Sequence, residues 1–144
     1  MKIALLLLMA VVLGCALAQS QQDRTIYDKD ISVIDYEDLE FPQLAVTARV
    51  EGVVVVRLKL DDDGKVLDAE ALSGPSLLIH QSVENARKWR FKPNSKHAVI
   101  IVYNFRIEGA CHSIRQGGSA SQMIFYPPNF AAITACPTPI TMAP

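Results

Sequence analysis

The stretch Val53-Val54-Val55-Val56-Arg57-Leu58-Lys59-Leu60-Asp61-Asp62-Asp63-Gly64-Lys65-Val66-Leu67-Asp68-Ala69-Glu70-Ala71-Leu72 decides the fold. Val54, Val56, Leu58 and Leu60 fall on one side, and Val53, Val55, Arg57 and Lys59 on the other. That period of two is the mark of a half-buried strand. Asp63-Gly64 supplies the positive φ that a tight reversal needs. Residues 66–72 then return as a second strand, with Leu67, Ala69 and Ala71 expected on one face. The same turn imitates a calcium loop, Lys59-x-Asp61-x-Asp63-Gly64 with Glu70 beyond. Its first ligand position holds a lysine and its flanks are strands, so a hairpin is the better reading.

Downstream, Ser73-Gly74-Pro75-Ser76 breaks the chain, and residues 77–89 are predicted to be helical. Ile79, Val83, Ala86 and the stem of Arg90 form the expected apolar stripe, with Gln81, Glu84 and Lys88 toward water and Glu84 placed to pair with Lys88. Pro93 ends the helical stretch. Residues 98–107 are a third strand, with Val99, Ile101, Tyr103, Phe105 and Ile107 alternating against Ile100, Val102, Asn104 and Arg106. Upstream, Pro42 opens a short helix over 43–49, and residues 19–40 form a polar lead-in, partly extended near Ile31 to Ile34. Beyond Gly109 only Arg115 is charged and prolines accumulate; 116–121 reads as a loop and 123–126 as a short fourth strand.

The first residues are Met1-Lys2, an apolar run, and Ala16-Leu17-Ala18 before Gln19, the order of a cleavable export signal. The alternative processing is lipidation at Cys15, within Val12-Leu13-Gly14-Cys15. Removing residues 1–18 leaves 13 Lys+Arg against 15 Asp+Glu, a net charge of about −2. No basic stripe for nucleic acid is present. Cys111 and Cys136 remain, and an even pair in an exported chain reads as a disulfide. Closing that loop would stabilise the domain by about 3 kcal/mol.

No Ser, Cys or carboxylate forms a nucleophile motif with His80, His97 or His112, whose spacings match no metal-ligand pattern. Neither an enzyme, a cofactor nor a small-molecule substrate is expected. Trp89 and Phe91, between a helix and Pro93, read as core anchors, and Arg87, Lys88, Arg90 and Lys92 as a solvated helix end.

Five blocks occur in a particular order: Phe41-Pro42; Arg49-Val50-Glu51-Gly52-Val53-Val54-Val55; Asp63-Gly64-Lys65-Val66-Leu67-Asp68-Ala69; Ser73-Gly74-Pro75-Ser76-Leu77-Leu78; and Ala86-Arg87-Lys88-Trp89-Arg90-Phe91-Lys92-Pro93. Over residues 41–107 the chain resembles the C-terminal domain of the TonB energy-transducer family. Its signature core residues are Gly52, Gly64, Trp89, Phe91 and Pro93, and the Trp89-Arg90-Phe91-Lys92-Pro93 block is its most specific part. The resemblance implies a small antiparallel sheet packed by helices, which binds an N-terminal segment of an outer-membrane transporter by adding a strand to its edge. The receiving edge is the family's last strand, here Val99, Ile100, Ile101, Val102, Tyr103, Asn104 and Phe105. The family also uses a membrane helix with polar residues and a long Pro-rich spacer. Residues 19–40 reach only about 75 Å when stretched at ~3.4 Å each, so energy harvesting by this chain alone is not expected.

The expectation is an α+β protein with an antiparallel sheet of three to four strands against one or two helices. It divides into a signal (1–18), a lead-in (19–40), a TonB C-terminal-like domain (41–108) and a disulfide-tied extension (109–144). It would work in the periplasm of a Gram-negative-type envelope, binding a transporter or another envelope protein. The rival expectation is a structural protein whose own tail, or a second copy in a homodimer, occupies the sheet edge. Ile100 and Val102, apolar on the strand's second face, need a cover under either reading.

Overall fold

A computed structural model describes residues 30–109 and 121–136. Among these residues, seven strands and two helices follow in the order β1 (Val33–Asp35), α1 (Gln43–Thr47), β2 (Gly52–Leu60), β3 (Val66–Ser73), α2 (Ser76–Ala86), β4 (Arg90–Phe91), β5 (Ala98–Ile107), β6 (Ser121–Tyr126) and β7 (Phe130–Ala135). The fold is α+β. The main sheet has five strands in the order β3-β2-β5-β7-β6, and β1 with β4 forms a separate antiparallel pair.

The β2–β3 hairpin forms where the alternation places it, and its turn is tied by side chain as well as backbone. Asp61 Oδ1 accepts hydrogen bonds from the Asp63 and Lys65 amides at 2.9 and 2.8 Å, so the calcium-like carboxylate serves a turn. Gly64 has φ of 79°, and a Cβ there would lie 1.9 Å from the Phe91 carbonyl oxygen. Its own carbonyl accepts from the Phe91 amide at 3.1 Å, which joins the hairpin turn to β4. Irregularities between Val55 and Val56 and between Lys59 and Leu60 alter the expected facing of β3. Ala69 is buried but Leu67 is exposed, because the slip rotates Leu67 out of the row.

Helix α2 also buries a different stripe from the expected one. Its core residues are Leu78, Ser82, Asn85 and Ala86, while Ile79 and Val83 are only partly covered and Arg90 is exposed in β4. Two of those buried residues are polar and both are satisfied: Ser82 Oγ donates to the Leu78 carbonyl at 2.8 Å, and Asn85 is held as described below. Lys88 pairs with Glu37 at 3.0 Å instead of Glu84, which lies 3.5 Å from Arg87.

The core lies between the helices and one sheet face. Val54, Val56, Leu58, Ile101, Tyr103, Phe105, Ala131 and Ile133 are fully buried there with Ala45, Leu78 and Ala86. The expected lead-in and extension both belong to this core. Ile31, Leu39 and Phe41 are buried, and the amides of Leu39 and Phe41 donate to Met123 Sδ and Ser121 Oγ, each at 3.2 Å. The expected fourth strand is present as β6, and β7 is a strand that the sequence reading did not anticipate.

Candidate functional site

The expected receiving strand is not an edge. β5 runs antiparallel to β2 from Ala98 to Phe105, and on its other side it runs parallel to β7 from Val102 to Ile107. The Val102 amide donates to the Asn129 carbonyl, and the Glu108 amide to that of Ala135, both at 2.9 Å. One turn earlier, Asn129 Nδ2 donates to the Ile100 carbonyl at 2.9 Å. Val99, Ile101, Tyr103 and Phe105 point into the core, and Ile100, Val102 and Asn104 are half-buried on the opposite face. The placement of the receptor edge at 99–105 is thus corrected: the chain's own hairpin fills most of it. The expected antiparallel sheet gains a parallel pair by the same means.

Of the signature residues, Trp89 and Phe91 lie buried behind that strand. Trp89 Nε1 and Tyr103 Oη each donate to Asn85 Oδ1 at 2.9 Å, and Asn85 Nδ2 donates to the Glu37 carbonyl at 2.8 Å. Burial pushes the Tyr103 phenol far up, which keeps it a donor. The Trp89 ring stacks on Phe91 at 6.2 Å and meets Tyr103 and Phe125 edge-on at 6.1 and 5.3 Å, with Tyr36 tilted against it at 5.3 Å. Trp89 and Phe91 are therefore core anchors, and Pro93 is exposed beyond them. Gly52, with φ of 148°, lies so close to Pro75 that a Cβ would sit 2.9 Å from its ring. The sequence signal for Asn85 was weak, since a polar residue in an amphipathic helix reads as solvent-facing.

Among the described residues, two strands bound the main sheet. β3 is one edge, interrupted twice in its register and carrying Asp68 and Glu70. Arg57 pairs with Glu70 at 2.8 Å beside it. β6 is the other, with continuous register along β7 and no charged side chain. Odd-numbered β7 residues direct their backbone toward β5. Even-numbered ones therefore bond to β6 at Gln122, Ile124 and Tyr126, and Met123 and Phe125 aim theirs outward.

The expected disulfide can be placed only at one end: Cys136 is buried after β7, while Cys111, like Cys15 and His112, lies outside the described residues. His80 is exposed, and His97 Nδ1 lies 3.6 Å from Asp62. Among the described residues no group of three or more His, Cys, Asp or Glu is placed to hold a metal, and no helix is long and apolar enough to cross a membrane.

Residues 37–108 match the family model described as Gram-negative bacterial TonB protein C-terminal. The chain belongs to this family. The matched TonB segment ends where β5 does, so the β6–β7 hairpin lies beyond it. Protein TonB of Escherichia coli (strain K12) is 34% identical over 73 residues, 49% of this chain and 30% of that protein. The chain thus spans under a third of that relative's length. The solution NMR structure of the Pseudomonas aeruginosa TonB C-terminal domain is 25% identical, covering 60% of this chain and 96% of that one, with a TM-score of 0.46.

Proposed function

We propose that this chain is a non-enzymatic binding module of the bacterial envelope, engaged in transport, that takes an extended segment of an outer-membrane transporter onto its sheet by β-augmentation. Family membership supports the partner class. The observation that carries the mode of binding is β6, an uncharged edge with unbroken register and outward backbone groups at Met123 and Phe125. The opposite edge is blunted by two register slips and by acidic side chains. The test is an amide-resolved NMR titration of the isotope-labelled chain with N-terminal transporter segments. Shifts centred on β6 are expected. Shifts spread along β5 with loss of hairpin protection would mean that the segment displaces β7, and the assignment to β6 would fail.

A second reading has an observation in its favour: β7 already occupies β5 from Val102 to Ile107. A structural envelope protein completed by its own tail, or paired with a second copy through β6, would give no transporter-induced shifts. A homodimer would reveal itself in the sedimentation mass.

The envelope setting also supports a Cys111–Cys136 bond. Ile107 lies opposite Ala135, so the chain needs only the few residues after Glu108 to bring Cys111 beside Cys136. Export with cleavage before Gln19 belongs to the same proposal. Intact mass of the secreted chain tests both, since lipidation at Cys15 would add an acylated terminus.

A further inference from the structure

The helix-free face of the sheet carries two rows that cross four strands and end at β6. One runs Val55, Val102, Phe130, Tyr126; the other runs Val53, Asn104, Ala132, Ile124. Seven of these eight side chains are apolar or aromatic, and none is charged. The charged side chains of this face lie elsewhere: Arg57, Lys59, Asp68 and Glu70 toward β3, and Arg106 past the second row. At the β6 end the rows stop at side chains left open to water, Ile124 at 45% and Tyr126 at 50% exposed. Tyr126 leans on Phe130 with ring centroids 6.0 Å apart, which fixes the aromatic at the margin.

A strand added to β6 would set its residues opposite Ile124 and Tyr126 on this face, two positions apart, as direct cross-strand neighbours. We propose that β6 selects extended segments with uncharged apolar side chains at two alternate positions, i and i+2, which prolong the rows ending at Ile124 and Tyr126. This rests on the edge reading above. A charged side chain at either position would face a row with no counter-charge. The part of these rows that an added strand meets is the pair Ile124 and Tyr126, whereas a stable protein–protein contact buries roughly 800 Å² per partner. A single extended segment therefore fits it better than a second copy.

The test compares two synthetic ten-residue peptides of identical composition. One alternates valine with threonine; its isomer runs Val-Val-Thr-Thr-Val-Val-Thr-Thr-Val-Thr, so that no two valines stand two positions apart. Each is titrated into the isotope-labelled chain and into its Tyr126→Ala variant. The alternating peptide is expected to shift the β6 amides and to bind about tenfold more tightly than its isomer. In Tyr126→Ala that preference should shrink to about twofold or less, with shifts at Met123 and Phe125 retained. Tyr126 is half exposed, and an unchanged dispersed spectrum would confirm the variant's fold; Ile124→Thr repeats the comparison at the second row. Equal binding of the two peptides at β6 would overturn the selectivity and leave the edge reading standing. Absence of β6 shifts with either peptide, and with transporter segments, would overturn both.

Discussion

Asn85 serves three partners, and two of them, the Trp89 and Tyr103 donors, would be buried and unmet without it. Removing a group that satisfies several buried donors costs more than one bond is worth, because each orphan loses water as well. Asn85→Ala is expected to destabilise the protein by about 3 kcal/mol in chemical denaturation. Asn85→Leu should be no better, since it too leaves the Trp89 and Tyr103 donors without an acceptor. Tyr103 gives a pH signature. Its folded phenol is harder to ionise than its unfolded one because burial penalises the phenolate. The resulting contribution is fully present below the unfolded value of about 10 and is lost as pH rises above it. Urea unfolding between pH 8 and 11 should therefore show a decline that Tyr103→Phe reduces. Gly64→Ala should be among the most damaging single-methyl changes, since the added carbon meets a backbone carbonyl at 1.9 Å and the φ of 79° disfavours any side chain. Failure of a thermal melt to fall for that variant would contradict the close approach of Gly64 to Phe91.

At the scale of elements, the β6–β7 hairpin is part of the core rather than an appendage. Ala131 and Ile133 are fully buried, and the Phe125 ring packs between Tyr36 and Trp89 at 5.0 and 5.3 Å. Phe125→Ala should cost about 3 kcal/mol and shift Trp89 fluorescence, because it removes the edge-on ring and leaves a cavity. Ending the chain after Gly109 would uncover the β5 edge from Val102 to Ile107 together with the apolar face under the hairpin. The expected result is self-association in sedimentation; a stable monomer would show that the hairpin contributes little. The hairpin was only half legible. β6 was expected as a short strand, but β7, Phe130-Ala131-Ala132-Ile133-Thr134-Ala135, has small or apolar residues on both faces. It offers no polar contrast for a period to show. Its partner is β5, across an intervening strand in sequence, so no local turn announces the pairing.

For the molecule as a whole, the two sheet edges are treated differently, and this sets where a partner can add. β3 is broken in register and acidic, and β6 is neither. Single prolines placed within a transporter-derived segment should weaken binding wherever they remove a donor toward Met123 or Phe125, with little effect at alternate positions. Uniform tolerance along the segment would argue against strand addition.

The β2–β3 hairpin, helix α2, strand β5 and the family blocks could be read locally, because alternation, helical spacing and turn chemistry act over a few residues. The aromatic block around Trp89 was likewise recognisable as core. Only the tertiary structure decided which strand became interior, which polar residue of α2 was buried, and that the lead-in would lie against β6. Those outcomes depend on distant segments competing for the same backbone groups and apolar surface. An edge is defined by what fails to pair with it, and that choice is made only when the whole chain has packed.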